Sequence, residues 1–284
     1  MGYNIWGDVS AIANNIQEDA LFVVRETATM QNLVLTFRDA RGMNPRVGYD
    51  YNQLTAVEVS DADDLTSSSL TPSAGQTLTP AQIGLQVFVS DARAASELPE
   101  NIIADAAREL GLAAADKVET DLLGNIVSLP GGTIGTAGSA ITWGHLAAAI
   151  ARARYANKSN SVPLACVIHG YQWAVLAKAA SVAGSSLAQA PSYTDEITRR
   201  GFVAEFMGVP IYQVFGGLSS TNFYGGVFPR DAMALDWRQP IRVEPERDAS
   251  RRGFEFNMSA IYAEGVWRPA LGVQMIFDAS APSS

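Results

Sequence analysis

The segment from Ser90 to Gly124 constrains the fold most, because it predicts one long helix. Pro99 suits a first helical turn, where its missing N–H has no partner to lose, and Gly124 is a typical helix stop. About 26 residues at ~1.5 Å each give a rod of ~39 Å. Because alanines make up much of its apolar stripe, we expect a sheet to pack closely against it. The stripe recurs at spacings of three to four residues: Ile103, Ala107, Leu110, Ala114, Val118 and Leu122.

Charge is distributed unevenly along the 284 residues. Residues 1–130 contain 18 Asp and Glu against 7 Lys and Arg, whereas residues 131–284 contain 11 against 13. The acidic first part argues against binding nucleic acid through a basic face. It fits contact with a less acidic surface, such as the second part of another copy, although ordinary solubility charge explains the same distribution.

Several classes of protein are excluded by what the sequence lacks. A single cysteine, Cys166, cannot form a disulfide framework or a cysteine-based zinc site. The first residues have neither the basic segment nor the apolar core of a signal peptide, and no apolar run reaches the roughly 18 residues of a membrane span. These absences predict a cytosolic setting, and the length of 284 residues predicts one large or two modest domains.

A polar segment at residues 60–82 separates two strand-like stretches, VGYDYNQLTAVEV at 47–59 and IGLQVFVS at 83–90. The polar segment is dominated by Ser, Thr, Gly and Pro and contains no Lys or Arg. Two arms around a polar tip predict a long hairpin that projects from the body. Such a hairpin is marginally stable alone in water, so we expect either a mobile loop or, preferably, an arm held by another molecule.

The other segments predict a mixture of helices and strands. Residues 10–40 read as helix, or as helix followed by a strand at LVLTF, and Thr142 is a suitable N-cap for a helix beginning TWGHLAAA. The run VPLACVIHGYQWAVLAKAAS predicts a strand buried on both sides, a turn and a helix. Residues 222–284 are rich in strand-forming sequence.

Catalysis would depend on one of only two histidines, His145 and His169. His169 follows a buried strand and precedes a helix, where catalytic groups often lie in α/β folds. However, no nucleophile-elbow motif surrounds a serine, and no acid is placed by the sequence to orient the ring. We therefore interpret His169 as a cap of the following helix and keep a hydrolase that uses it as a remote alternative.

No cofactor or metal site is predicted. The glycines at 131–138 lack the Gly-Lys-Ser/Thr ending of a phosphate loop. Asp61, Asp63 and Asp64 lack the glycine and distal glutamate of an EF-hand, so we interpret them as solvated or facing a partner. The charged segment EPERDASRR at 244–252 is either an exposed hairpin tip or a loop whose arginines pair with carboxylates of other copies.

Four stretches carry a further signal through their order and spacing. They are LTPAQIGLQVFVSDARAASELPENIIADAARELGLAAADKVETDLL, then VIHGYQWAVLAKAAS, then FMGVPIYQVFGG, and finally RVEPERDASRRGFEFNMSAIYAEGVWRPALGVQMIFDAS. Together they resemble a tailed-bacteriophage major capsid protein of the Hong Kong 97 type. In that family the first stretch corresponds to the return strand of the extended loop and the spine helix, and the last to two closing strands with an arginine-rich tip at a threefold contact.

The resemblance implies an α+β fold with an N-terminal arm, an extended loop, a peripheral domain built on the spine helix, and an axial domain. The implied boundaries are 1–46 for the arm, 60–89 for the extended loop, 47–59 with 90–155 and 240–268 for the peripheral domain (spine helix about 99–124), and 156–239 with 269–284 for the axial domain.

The resemblance also implies function. The chain would be a structural protein without catalytic activity that self-assembles, through a procapsid, into an icosahedral head enclosing double-stranded DNA. Its location would be the virion, and the host cytoplasm during assembly. Implied partners are other copies in hexamers and pentamers, a scaffold, a portal and a decoration or cement protein. An encapsulin-like nanocompartment shell is the nearest alternative.

Two departures from the family pattern matter. Residues 60–92 contain no lysine, which excludes the Lys–Asn cross-link that some members form through this loop. The arm is reached within the first 40 residues or so, so we expect a separate scaffold protein. We further predict that the acidic loop meets a basic surface of a neighbour. The candidate contact residues are Asp61, Asp63, Asp64, Arg199, Arg200, Glu246, Arg247, Asp248, Arg251 and Arg252.

Overall fold

A computed structural model describes residues 29–39, 41–51, 54–61, 64–94, 102–159, 161–181 and 205–282. Within these residues, no helix is long and apolar enough to cross a membrane. Short 3₁₀ turns follow or separate several of the regular elements. The described α-helices are α1 Met30–Leu33, α2 Asp91–Ala94, α3 Ile102–Gly124, α4 Trp143–Asn157 and α5 Gly170–Ser181.

The described strands form three sheets. The first has the order β1-β11-β12-β4, the second has the order β5-β13-β10-β6-β8-β7 with β9 beside β10, and the third is the two-stranded ribbon β2-β3. The strands are β1 Leu35–Phe37, β2 Arg46–Tyr51, β3 Pro72–Leu78, β4 Ala81–Ser90, β5 Thr133–Ile134, β6 Leu164–His169, β7 Glu205–Phe206, β8 Val209–Val214, β9 Leu218–Ser219, β10 Asn222–Pro229, β11 Met233–Asp248, β12 Gly253–Val266 and β13 Val273–Asp278.

Helix α3 packs on one face of the first sheet, as its apolar stripe predicts. Leu110 and Ala114 are buried against Val243, Phe256 and other residues of strands β4, β11 and β12. The small alanine side chain permits the close approach of helix and sheet. The long helix is therefore confirmed from Ile102 onward, while predicted helical residues 99–101 lie outside the described residues.

The second sheet carries helices α4 and α5. Strand β6 is buried along almost its whole length, which confirms the prediction of a two-sided buried strand followed by a helix. Thr142 is confirmed as the N-cap of α4, since its Oγ1 accepts the His145 N–H at 3.3 Å. This helix, which the sequence boundaries place in the peripheral domain, packs with the strands of the second sheet.

A third group of apolar side chains joins the two sheets. Val118 and Leu122, near the end of α3, share one core with Phe223 and Phe228 of β10 and with Tyr262 of β12. The chain preceding β1 is tied to the same helix, because the Met30 N–H donates to Glu119 Oε2 at 2.9 Å. Of the segment at 10–40, strand β1 confirms the strand predicted at LVLTF. The predicted helix falls on residues that lie, up to residue 28, outside the described part.

The two longest strands form one hairpin. Strands β11 and β12 pair from Met233 and Val266 to Asp248 and Gly253, with register shifts between Trp237 and Arg242. Strand β1 covers the other edge of β11 only at 234–236. Within the described residues, the rest of that edge has no strand partner, and Pro240 and Pro245 lie along it.

The prediction that residues 83–90 form the second arm of the projecting hairpin is wrong. Strand β3 is the partner of β2, with Tyr51 opposite Pro72 and Arg46 opposite Leu78, whereas β4 pairs with β12 in the first sheet. The sequence PSAGQTL forms a strand because its glycine lets the two backbones approach. A Cβ at Gly75 would lie 2.3 Å from the carbonyl oxygen of Gly48.

Candidate inter-subunit contact surfaces

One face of the β2–β3 ribbon carries large apolar side chains in solvent. Tyr49 and Tyr51 alternate along β2 and project from one face, and Val47 precedes them across an irregularity in the pairing with β3. Val47, Tyr49 and Tyr51 are 44%, 66% and 62% exposed. The opposite face meets the body, since a Cβ at Gly48 would lie 3.0 Å from the Trp267 ring. The ribbon therefore has one face attached to its own chain and one face open. We call Val47, Tyr49 and Tyr51 the tyrosine face.

The connection between the two ribbon strands is exposed at every described position of 54–61 and 64–71. It also presents apolar groups, whose exposed fractions range from 46% to 81%. A folded chain that leaves so many large apolar residues together in solvent is typical of a surface that binds a partner. These side chains are Leu54, Val57, Val59, Leu65 and Leu70.

The loop aspartates do not form a site of their own. Asp61 and Asp64 are exposed and make no side-chain hydrogen bond or ion pair to another described residue, and Asp63 lies outside the described part. Within that part, no group of three His, Cys, Asp or Glu residues is placed to hold a metal ion. The prediction that these aspartates meet a basic surface on a neighbour stays a prediction.

The root of the ribbon is fixed by a buried ionic network. Arg46, the first residue of β2, donates from Nε to Oδ2 of the fully buried Asp236 at 2.7 Å and also pairs with Asp39. Arg238 reaches the same Oδ2 at 2.8 Å. The Arg46 guanidinium also stacks over the Phe37 ring, 4.3 Å from its centroid. This network orients the ribbon on the body while its far end remains in solvent.

The charged segment at 244–252 forms the exposed end of the β11–β12 hairpin, and its contact with other copies stays a prediction. Arg247 binds Asp91 with both guanidinium nitrogens, at 2.5 and 2.7 Å, and its guanidinium lowers the pKa of that carboxyl. Arg247 also stacks over the Phe254 ring. The bidentate pair is made within the chain, between the tip and the start of α2, so Arg247 is not a free cation for a neighbour.

Two more predicted contact residues of the tip are used within the chain. Asp248 accepts hydrogen bonds from the Ser250 hydroxyl and from the Arg251 N–H, which lower its pKa and shape the turn. Arg251 pairs with Glu255 at 2.5 Å and lies over the Phe88 ring. The contacts of Asp248 and Arg251 are therefore made within the chain and define the shape of the turn.

The remaining predicted contact residues are either exposed without an ion pair to another described residue or outside the described residues. Arg252 and Glu246 are exposed, and neither makes an ion pair to another described residue. Arg252 has a φ of 53°, a left-handed conformation that is unusual for a residue with a side chain. Arg199 and Arg200 lie outside the described residues.

A polar cluster stabilises the end of α3. The Tyr262 hydroxyl donates to Asp121 Oδ2 at 2.6 Å, and Lys117 contacts the other carboxylate oxygen at 2.6 Å. Burial, followed by the bond to Asp121, raises the pKa of Tyr262. Burial also raises the pKa of Glu119 and of Glu264 nearby. Asp121 thus ties the end of the helix to β12.

His169 is a buried helix cap. Its Nδ1 accepts the Tyr171 N–H at 3.2 Å, and its surroundings are the rings of Tyr171, Phe215 and Phe223. Burial lowers its pKa, partly opposed by the carbonyl of Phe215. Among the described residues, neither a serine hydroxyl nor a carboxylate bonds the ring, so the geometry fits the capping interpretation.

Two features of the surface were missed from sequence. The first is the exposed tyrosine face: the alternating pattern of VGYDY predicts a strand, but this pattern alone does not show which face of the strand is covered. The Arg46–Asp236 network joins residues 190 positions apart, and no local pattern indicates such a pair.

The fold, with a long helix on one sheet beside a second, helix-covered sheet, defines a structural class that solved structures share. The capsid of the cyanophage P-SCSP1u is 17% identical with a TM-score of 0.66, covering 89% of each chain. A structure from Mycobacterium phage Che8 is 18% identical with a TM-score of 0.68, covering 90% of this chain and 92% of the other. A virus-like particle from Pyrococcus furiosus is 10% identical with a TM-score of 0.60, covering 92% and 98%.

The sequence itself narrows the class. Residues 74–273 match the family described as phage capsid protein, and the chain belongs to that family. A comparison with curated protein sequences finds no match. The α+β fold of the Hong Kong 97 type is confirmed, and the protein is a major capsid protein of tailed phages that assembles into a multi-subunit shell.

Proposed function

We propose that this capsid protein forms an icosahedral head around double-stranded DNA, and that its projecting ribbon and loop complete the shell by contacting a neighbouring copy. The proposed contact of the ribbon and loop with a neighbouring copy rests on the exposed tyrosine face and on five exposed aliphatic residues of the loop. Apolar surface of this extent is costly for a monomer in water. Contact with another subunit would remove it from solvent.

The shell is held together without covalent bonds through the loop. No lysine occurs in residues 60–92, so this segment cannot supply the lysine of a Lys–Asn isopeptide bond. Cys166, the single cysteine, is fully buried, so a disulfide between subunits is not accessible either. We propose that burial of exposed apolar side chains supplies most of the cohesion, with the exposed Glu246 and Arg252 of the tip available for ion pairs to a neighbour. A cement protein on the outer surface would add to them.

The remaining partners follow from the same assignment. We propose a separate scaffold protein, a portal at one vertex, and hexamers and pentamers of this chain, assembled in the host cytoplasm and located in the virion. The predicted domain boundaries and tip contacts belong to this proposal. We propose a structural role for this protein, because the Nδ1 of His169 accepts a hydrogen bond from the backbone of the following helix and its ring packs among aromatic rings.

The first test is expression of the full chain, followed by size-exclusion chromatography and negative-stain microscopy. We expect capsomers or shells far larger than the 30.2 kDa subunit. A protein that stays monomeric at all concentrations, with or without its scaffold, would contradict the proposal. Nuclease-protected double-stranded DNA in particles from phage-producing cells supports the head assignment, whereas particles that contain a packed enzyme and no DNA indicate a nanocompartment shell.

The second test removes the loop and keeps the fold. Tyr51 and Pro72 are directly paired, so residues 52–71 can be replaced by an Asn-Gly turn that closes the ribbon. This change retains Leu78, which is buried against Gly265 of the body. We expect wild-type circular dichroism and no closed shells. Normal shells from this variant would show that the loop is not needed for assembly.

A further inference from the structure

We propose that the end of α3 is a joint that responds to protons. Proton uptake by Glu119 and Glu264 fastens the end of the helix to β12 and to the chain that enters β1, and proton loss loosens it. The joint belongs to the folded subunit. It is therefore tested on unassembled protein, independently of the proposed shell function.

The joint lies where the first and second sheets meet. Val118 and Leu122, in the last turns of α3, pack in one core with Phe223 of the second sheet and Tyr262 of the first. Leu110, earlier in the helix, belongs to the core of the first sheet. A change in how the last turns of α3 are held therefore changes how the two sheets are coupled.

On one flank of the helix, Glu119 holds the chain that enters β1. Its Oε2 accepts the N–H of the fully buried Met30 at 2.9 Å. Asp116 is a second carboxylate one turn earlier on the same side of α3, and α1 carries no charged residue. Glu119 makes no ion pair to another described residue. Burial raises the pKa of Glu119, the Met30 N–H opposes this, and the charge of Asp116 adds to it.

On the opposite flank, Glu264 faces the end of the helix from β12. It follows Tyr262 by two positions, so it projects from the same face of the strand, toward Asp121. The two oxygens of Asp121 are used by the Tyr262 hydroxyl and by Lys117. Glu264 makes no ion pair to another described residue. Burial, followed by the charge of Asp121, raises the pKa of Glu264, while its own backbone N–H and the charge of Lys117 oppose this.

Within the described residues, the strand and the turn beside Glu264 add no charge on the same side. The β11 residue opposite it is Leu235, and the adjacent Asp236 projects from the other face of the sheet, toward the root of the ribbon. The 3₁₀ turn Asn125–Ser128, which follows α3, contains no charged residue. Lys117 is therefore the cation that faces this flank.

This excess of carboxylates sets the direction in which the joint responds to pH. The carboxylates are Asp116, Glu119, Asp121 and Glu264. A carboxyl group whose pKa is higher in the attached state than in the detached state binds protons more tightly when attached. Attachment is therefore favoured as the pH falls from neutrality toward the ordinary carboxyl value of 4.5, and deprotonation above that range weakens it.

The test replaces both carboxyl groups by neutral amides of the same shape, Glu119→Gln with Glu264→Gln. Glu109→Gln is the matched control, because Glu109 is exposed on the same helix. Hydrogen–deuterium exchange of the unassembled full chain, corrected for the intrinsic effect of pH on exchange, measures the local opening of residues 118–124. Residues 147–153 of α4 contain no carboxyl group or histidine and serve as the internal reference.

In wild-type protein and in the Glu109 variant, exchange of residues 118–124 should slow between about pH 7.5 and about pH 5, relative to the reference. The double variant should exchange slowly at both pH values and lose this difference. Comparing variants at one pH also cancels the effect of His169, whose protonation acts on stability in the opposite direction. Wild-type exchange that is constant or faster at the lower pH, or a double variant that keeps the wild-type pH dependence, would overturn the inference.

A milder substitution keeps the test decisive if the double variant does not fold. Asp116 is exposed, so Asp116→Asn leaves the core intact and removes the like charge beside Glu119. At about pH 7.5 this variant should slow the exchange of residues 118–124, and at about pH 5 its effect should be smaller, because Glu119 is then protonated more often. Faster exchange, or an equal effect at both pH values, would show that the charge on Glu119 does not control the joint.

Discussion

The substitution Asp236→Asn tests whether the ribbon is anchored by a buried charge. Asp236 is fully buried between Arg46 and Arg238, and the side chain of Arg238 is only 4% exposed. Removing the carboxylate charge leaves Arg238 buried without a counterion, which typically costs about 3–5 kcal/mol. For a chain of this size, that corresponds to a fall in melting temperature of roughly 6–20 °C.

The companion substitution Arg46→Met should lower the free energy of unfolding by less, about 1–2 kcal/mol, because Arg238 still pairs with Asp236 at 2.8 Å. The methionine side chain also keeps apolar contact with Phe37, over which the Arg46 guanidinium stacks. The expected order of cost is therefore Asp236→Asn first and Arg46→Met second.

The assay is urea unfolding of the unassembled subunit, followed by circular dichroism and tryptophan fluorescence. Arg242→Met is the control, because its pair with Glu244 is exposed on both sides and should change the free energy of unfolding by less than about 1 kcal/mol. If Asp236→Asn costs no more than this control, or if Arg46→Met costs as much as Asp236→Asn, the description of the anchor is wrong.

Three further predictions concern single buried groups. Burial lowers the pKa of His169, and its neutral Nδ1 accepts the Tyr171 N–H, so the free energy of unfolding of the subunit should fall as the pH drops through about 6.5. His169→Asn should flatten this pH dependence in urea unfolding. An unchanged pH dependence in the variant would contradict the role of His169. Tyr262→Phe should cost about 1–3 kcal/mol in the same assay through the lost bond to Asp121, and a neutral effect would show that the bond is not formed. Burial raises the pKa of Cys166 to about 12, so a thiol reagent such as DTNB should label it only in denaturant, and rapid labelling of native protein would refute its burial.

Elements with a strong local period were predictable from sequence. Helix α3 and the β6–α5 unit each carry an apolar pattern that their own backbone geometry explains. The N-cap at Thr142 is equally local, since its hydroxyl bonds a residue three positions on. Strand β3 was not predictable, because PSAGQTL has almost no apolar side chains and pairs with β2 through its backbone and through the close approach at Gly75.

The candidate site was predictable only in part. The position of the charged tip follows from the two strands around it, but its internal pairing does not, because Asp91 is 156 residues from Arg247 in the chain. The tyrosine face escapes prediction for a related reason. Whether an alternating strand such as VGYDY is covered on one face or on both depends on residues as distant as Trp267.

Among the described residues, no strand pairs with the outer edge of β11 beyond Asp236, and the prolines there have a consequence for a protein that accumulates in many copies. A bare strand edge offers unpaired backbone groups that another chain can extend into a continuous sheet. Pro240 and Pro245 have no N–H to offer such an intruder, which interrupts the hydrogen-bond ladder at two points. Crowded newly made subunits are thereby steered away from fibrous aggregates and remain available to build closed particles.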